Sequence, residues 1–275
     1  MNFSSKTIQS ILWVFALQAS SGFALTLNSQ HAIVLNNDTG TVLMAKDADS
    51  PVPIASLTKL MTAMVVLDSK PDMAEKISIV EEDVDSLKHS TSHVRVGTTL
   101  ERNEVLRLAL MSSDNRAAAA LARTYPGGNA AFVAAVHRKI GALGMNHTSI
   151  DEPTGLSPHN MSTAADLAKM ATAAAKYPEI RNITTNRGER FKMNGRNVTF
   201  HNTNRLVGAS GWDILMSKTG FTNEAGHCLI MRIRHAGSSA TLVLLNARAV
   251  TSSVFDASKI RALLGHPMDT GRRTR

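Results

Sequence analysis

Pro51-Val52-Pro53-Ile54-Ala55-Ser56-Leu57-Thr58-Lys59-Leu60-Met61-Thr62-Ala63-Met64 decides how the rest of the chain is read. Two prolines suit a loop or a first helical turn, and the residues after them have a good helical pattern. A helix is therefore predicted from about Ala55 to Leu67. Ser56 and Lys59 are three apart, which on a helix brings the hydroxyl to the amine. A serine alone is a weak nucleophile and a solvated lysine stays protonated. A lysine that is desolvated or close to another cation can give up its proton and act as a base. A surface pair on an amphipathic helix has the same spacing, and such pairs arise by chance in a chain of this size, so the remaining sequence must decide.

The 275 residues suit one large domain or two interleaved subdomains, and an apolar content of 43% is ample for a core. Cys228 is the only cysteine, so no intramolecular disulfide can form, and no Cys-x-x-Cys spacing offers a zinc site. Neither a metal nor a cofactor is expected. Amid alternating apolar residues, Cys228 reads as a small buried hydrophobe rather than a thiol nucleophile.

Residues 1–24 read as an export signal, with Lys6 as its positive start, Ile11 to Leu17 as a short apolar run, and Gly22-Phe23-Ala24 as the cleavage site. The run is shorter than the ~20 residues that span a bilayer. The mature chain is expected to be periplasmic, with at most peripheral membrane contact. The formal charge is +8, one less once Lys6 is removed, which favours anionic polymers or surfaces. Few aromatics, no recognition motif and an export signal argue against nucleic acid. The basic tail, residues 266–275, reads as a solvated end.

From His31 to Lys46 two apolar runs flank Asn36-Asn37-Asp38-Thr39-Gly40, the pattern of a hairpin. After the first helix come a short strand near Lys76 to Val80, a polar stretch from Glu81 to His93 without a period, and an extended run from Val94 to Leu100. Helices follow at Leu100 to Met111, Arg116 to Thr124 and Asn129 to Leu143, with the turn Ser112-Ser113-Asp114-Asn115 between the first two. A loop from Asp151 to Asn160 precedes a helix ending near Lys176. The last third holds a hairpin around Asn194-Gly195, a three-strand meander from Ile214 to Asn246, and a closing helix from Ser253 to Leu264. Strands at both ends of the chain imply one α/β antiparallel sheet flanked by helices, with a helical subdomain of about residues 68–190 inserted in a domain of 25–265.

Three polar clusters now stand in order: Ser56-x-x-Lys59 at a helix start, Ser113-x-Asn115 in an interhelical turn, and Lys218-Thr219-Gly220 on a strand. This pattern resembles the serine penicillin-recognising enzymes, whose site is built from S-x-x-K, S-x-N and K-T-G in those places. Glu152-Pro153-Thr154-Gly155-Leu156-Ser157-Pro158, Ser162 to Ala168, His201 to Leu206 and Lys218 to Gly226 extend the likeness to the low-molecular-mass D-alanyl-D-alanine peptidases. The chain ends soon after this region, which makes it most similar to the short murein DD-endopeptidase branch, the penicillin-binding protein 7 type.

The resemblance implies a beta-lactamase/transpeptidase-like fold and a serine peptidase acting on peptidoglycan stem peptides, with beta-lactam antibiotics as covalent inhibitors. It implies that Ser56 attacks a D-alanine carbonyl, that Lys59 is the base, and that Ser113 relays a proton to the leaving amine. Burial and the neighbouring Lys218 are expected to lower the proton affinity of Lys59. Asn115 would orient an extended substrate, Lys218 and Thr219 would hold a carboxylate or peptide oxygen, and Gly220 would let the strand come close. The N–H groups of Ser56 and Phe221 would form the oxyanion hole.

Other readings stay open. Removal of a terminal D-alanine uses the same acyl-enzyme. A beta-lactamase shares the three clusters, and Glu152 lies where class A enzymes keep a deacylating glutamate, although Thr154-Gly155-Leu156-Ser157 departs from that loop. A non-catalytic wall-binding protein would tolerate broken clusters, and these are intact. Scattered histidines offer a Ser-His-Asp triad, but no Gly-x-Ser-x-Gly elbow accompanies them.

Overall fold

The computed structural model describes residues 25–265; the predicted export signal and basic tail lie outside the described residues. Strands β1 (His31–Asn36) and β2 (Val42–Lys46) form the expected hairpin, its turn held by the Asn36 carboxamide, which accepts from the N–H groups of Asp38 and Thr39. A two-residue strand β3 (Val52–Pro53) leads into a 3₁₀ turn over Ala55–Leu57 and then α1 (Thr58–Asp68).

Helix α1 is buried on every side rather than along one stripe: Thr58 to Val66 are all inaccessible, and Lys59 is the only charge among them. Each fully buried Leu or Met contributes about 1.5–3 kcal/mol. Leu60, Met61 and Met64 together offset the roughly several kcal/mol needed to take one lysine out of water.

Strands β4 (Lys76–Ser78) and β5 (Thr99–Glu101) pair with each other. The run from Val94 is thus extended only from Thr99, because the stretch before it is an irregular loop shaped by side-chain hydrogen bonds. Helices α2 (Arg102–Met111), α3 (Asn115–Arg123) and α4 (Gly128–Ala142) follow. Beyond β6 (Met161–Ser162), which pairs with β3, comes α5 (Ala164–Ala174), capped by the Thr163 hydroxyl. Helix α6 (Pro178–Thr184), with proline in its first turn, was not foreseen; at seven residues it shows too little period to be read.

A separate hairpin joins β7 (Gly188–Met193) and β8 (Arg196–His201). Then β9 (Asp213–Thr222), β10 (Gly226–His235) and β11 (Ser238–Ala247) form the meander, and α7 (Val250–Leu264) closes the described chain. The main sheet has the order β2-β1-β11-β10-β9, all antiparallel, so both ends of the chain meet in it and α1 to α6 are interposed. Its alternation sorts side chains to two faces. Ala32, Val34, Leu229, Met231, Leu242 and Leu244 pack on Ala257, Ile260 and Leu264 of α7. Ile33, Ile230, Val243 and Leu245 face the core that holds α1 and α5. Strand β9 is left at the edge beside the Ala55–Leu57 turn, which sets up a cleft. Among the described residues no helix is long and apolar enough to cross a membrane.

Candidate active site

Ser56 sits in the 3₁₀ turn that begins the central helix, where no side chain caps the first N–H groups. The residue before it, Ala55, has a φ of 47°, a left-handed conformation that costs a non-glycine residue energy and persists only when its surroundings impose it. Gly155 helps impose it. It lies against the Ala55 carbonyl so closely, with a φ of 86°, that a Cβ there would collide with the carbonyl.

The amine of Lys59 lies 2.8 Å from Ser56 Oγ, 2.7 Å from Asn115 Oδ1 and 2.6 Å from the Thr154 carbonyl oxygen. Two of these partners can only accept hydrogen bonds. A neutral amine has two N–H groups and one lone pair; with both N–H groups committed to Asn115 and Thr154, the lone pair faces the Ser56 hydroxyl. Such a geometry would suit a neutral Lys59 to accept a proton from that serine.

Ser113 comes from the turn between α2 and α3, as the sequence predicts, and Asn115 is the first residue of α3. Ser113 has a φ of 61°, again left-handed. The turn is clamped by Asp114, which caps α3 by accepting from Ala117 N at 2.9 Å and also receives the Ser92 hydroxyl at 2.6 Å. Asn115 turns its oxygen to Lys59 and donates its NH₂ to Ser90 Oγ at 2.8 Å. On the opposite wall Lys218 donates to Ser113 Oγ at 2.8 Å and to the Thr219 carbonyl at 2.9 Å.

Both lysines are buried, and both have lowered proton affinity. Burial brings Lys59 down from 10.5 to about 8, against the pull of Glu152, Asp114 and Asp85 toward the charged form. Lys218 is also held well below the usual lysine range, first through burial and then through the charge of Lys59, with no carboxylate to oppose it. The expected repulsion thus bears on Lys218, second to burial, while Lys59 owes its low affinity to burial.

Gly220 stands on β9 directly beside the turn that holds Ser56. A Cβ there would meet Ser56 N at 3.0 Å and Ala55 Cβ at 3.1 Å, so the close approach expected of this glycine is present. Thr219 shares a hydrogen bond with Thr203 at 2.5 Å. The Phe221 ring is exposed and stacks on His227 with centroids 4.4 Å apart.

Thr154 was missed by sequence reasoning because a carbonyl acceptor has no residue signature. Ser90, Ser92 and Asp85 were missed in a stretch without period, although Ser and Asp in a polar loop are a signal for such bonds. Asp85 ties that stretch together, accepting from the N–H groups of Leu87, Lys88 and Ser90. Glu152 is spent on its own loop. It accepts from the N–H groups of Thr154 and Gly155, the Thr154 hydroxyl and the Asn160 carboxamide, all at 2.5–2.9 Å, which leaves it poorly placed to hold a deacylating water.

No histidine hydrogen-bonds Ser56 among the described residues, and Cys228 is buried with its thiol pushed up to about 11. His89 and His93 do stand at His-x-x-x-His spacing, but in an irregular loop, and no metal-sized group of His, Cys, Asp or Glu gathers among the described residues.

With this arrangement in view, a protein-family model described as D-alanyl-D-alanine carboxypeptidase, peptidase family S11, matches residues 17–249. The chain belongs to that family. Among S11 relatives, the D-alanyl-D-alanine endopeptidase of Pseudomonas aeruginosa is 46% identical over 90% of this chain and 79% of its own length. The Streptomyces K15 DD-transpeptidase superposes with a TM-score of 0.80 at 29% identity, covering 87% of this chain and 97% of that one. Penicillin-binding protein D2 of Listeria monocytogenes, solved with cefotaxime bound, gives 0.75 at 26% identity, covering 88% and 98%. The beta-lactamase/transpeptidase-like fold and the serine D-Ala-D-Ala peptidase class expected of the S11 chain are thereby established.

Proposed function

We propose that this S11 peptidase is an exported, periplasmic DD-endopeptidase that hydrolyses D-alanyl cross-links of peptidoglycan, with Ser56 as nucleophile. The observation that carries the reading is the committed geometry of Lys59, whose one free valence faces Ser56 at 2.8 Å. Lys59 takes the hydroxyl proton as Ser56 Oγ bonds to the D-alanine carbonyl carbon. The N–H groups of Ser56 and Phe221 hold the oxyanion, a contribution of roughly 3–4 kcal/mol per donor in other serine hydrolases.

Collapse of the tetrahedral intermediate breaks the C–N bond, and Ser113, in contact with Lys218, passes a proton to the leaving amine. Water then hydrolyses the ester by the same route. Asn115 and the edge strand β9 orient an extended peptide, which pairs with the strand as an added one. Lys218 and Thr219 meet the carboxylate or peptide oxygen of the leaving group. A beta-lactam presents a strained amide to Ser56 and leaves a slowly hydrolysed ester, consistent with cefotaxime bound to the Listeria relative.

Endopeptidase is preferred to carboxypeptidase because the Pseudomonas relative, matched over most of both chains, bears that name. Digestion of purified sacculi followed by chromatography of the muropeptides tests the choice. Loss of cross-linked dimers is expected; release of terminal D-alanine from monomers with dimers untouched would overturn it. Rapid turnover of penicillin, the beta-lactamase outcome, is not expected with Glu152 bound into its loop.

A further inference from the structure

The β7–β8 hairpin turns Phe191, Met193 and Phe200 to the core, while Arg190 opposite Thr199 and Gly188 opposite His201 occupy its outward face. That face, with Arg187 and Arg205 from the flanking loops, lines an open cavity of about 710 Å³. Gly188 keeps the floor low: a Cβ there would stand 2.9 Å from both the His201 ring and the Phe200 carbonyl. The cavity's one carboxylate, Glu189, is already taken by Arg107 and Asn186. Among the described residues, the side chains of Arg187, Arg190 and Arg205 have neither an ion pair nor a hydrogen bond. Three unpaired guanidiniums around one concavity repel one another and suit a carboxylate, which their fork geometry can bind through two parallel bonds.

The cavity borders the catalytic cleft on a definite side. Thr203 lies in sequence between Asn202 and Asn204 of its wall, and its hydroxyl is 2.5 Å from Thr219 Oγ1. Asn204 donates to Ser217 Oγ at 2.7 Å, one residue before Lys218. Lys218 in turn touches Ser113, which serves the departing amine in the proposed reaction.

We propose that this cavity is a subsite for the leaving strand, binding free carboxylates of the stem peptide whose amine is released. The inference rests on the endopeptidase reading. A lone D-alanine ends at Lys218 and Thr219, whereas a leaving group that is itself a peptide continues past them toward the arginines.

The test uses the full chain and the double variant Arg190→Gln/Arg205→Gln, both positions exposed and outside the catalytic cleft. The substrates are a cross-linked muropeptide dimer with free carboxylates, the same dimer amidated on its leaving strand, and a pentapeptide. The variant should cut the free-carboxylate dimer about tenfold less efficiently. Its cleavage of the amidated dimer, its action on the pentapeptide and its acylation by penicillin should match wild type. Unchanged cleavage of the free dimer, or an equal loss on both dimers, would overturn the subsite. If wild type spares dimers altogether the endopeptidase reading falls, and calorimetric titration of the free stem tetrapeptide decides the subsite separately. Weaker binding by the variant supports it, and equal binding or no binding to wild type overturns it.

Discussion

Lys59 donates to the main-chain oxygen of Thr154 at 2.6 Å, so its amine is fixed by a loop that lies 95 residues away in sequence. That oxygen is where it is because Glu152 binds the N–H groups on either side of the turn and because Gly155 fits against Ala55. The loop thus places both the strained residue before Ser56 and one of the two acceptors that would leave a neutral lysine's lone pair facing Ser56.

Gly155→Ala should therefore damage the site more than any other glycine change near it. The added methyl collides with backbone and the residue keeps a positive φ of 86° that alanine resists. A loss of penicillin acylation together with a fall in stability of about 2 kcal/mol or more is expected, read from acylation rates and urea denaturation. Wild-type acylation in a folded Gly155→Ala protein would show that the loop does not hold the nucleophile's turn.

Gly220→Ala makes a gentler test of the other wall. Its Cβ would press on Ser56 N at 3.0 Å and push one oxyanion donor away from the strand. Acylation should drop on the order of 10²-fold, the cost of one such donor elsewhere, with the melting temperature little changed. An unaltered acylation rate constant would remove Ser56 N from the proposed oxyanion hole.

The three clusters were legible in the sequence because each is a set of side chains at fixed spacing on an element with a clear start. The sheet was legible because apolar alternation recurs at both ends of the chain. What was hidden is of a different kind. The Thr154 oxygen is backbone, Ser90 and Ser92 act through a loop with no period, and Glu152 looked like a catalytic acid until its hydrogen bonds were all assigned to its own turn. The surroundings of Lys59 and Lys218 were hidden too, since sequence cannot say that carboxylates support the charged form of only the first of them.

The lowered proton affinity of Lys59 sets two pH dependences. If the neutral amine is the base, acylation should rise with pH through about 8 and level off above it, measured with labelled penicillin. Folding stability runs the same way. Between about 8 and 10.5 the unfolded chain holds a proton on this lysine that the folded one lacks, so unfolding free energy should climb across that window. Lys59→Met should reduce the climb, leaving the share due to Lys218, while abolishing acylation; a climb that persists undiminished would assign it wholly to another group.

Lys218→Ala tests the second lysine. Its loss frees Ser113 Oγ of a hydrogen bond at 2.8 Å and removes the cation that shares the cleft with Lys59. Acylation should be impaired even for substrates that carry no terminal carboxylate. A defect confined to carboxylate-bearing substrates would reduce Lys218 to a binding group.

The most direct measurement of the central claim is intact-protein mass after incubation with benzylpenicillin, with peptide mapping of any adduct. The account predicts one penicilloyl group on wild type, mapped to Ser56, and none on Ser56→Ala of unchanged melting temperature. Equal labelling of the two proteins, or an adduct mapped to any other residue, would contradict it.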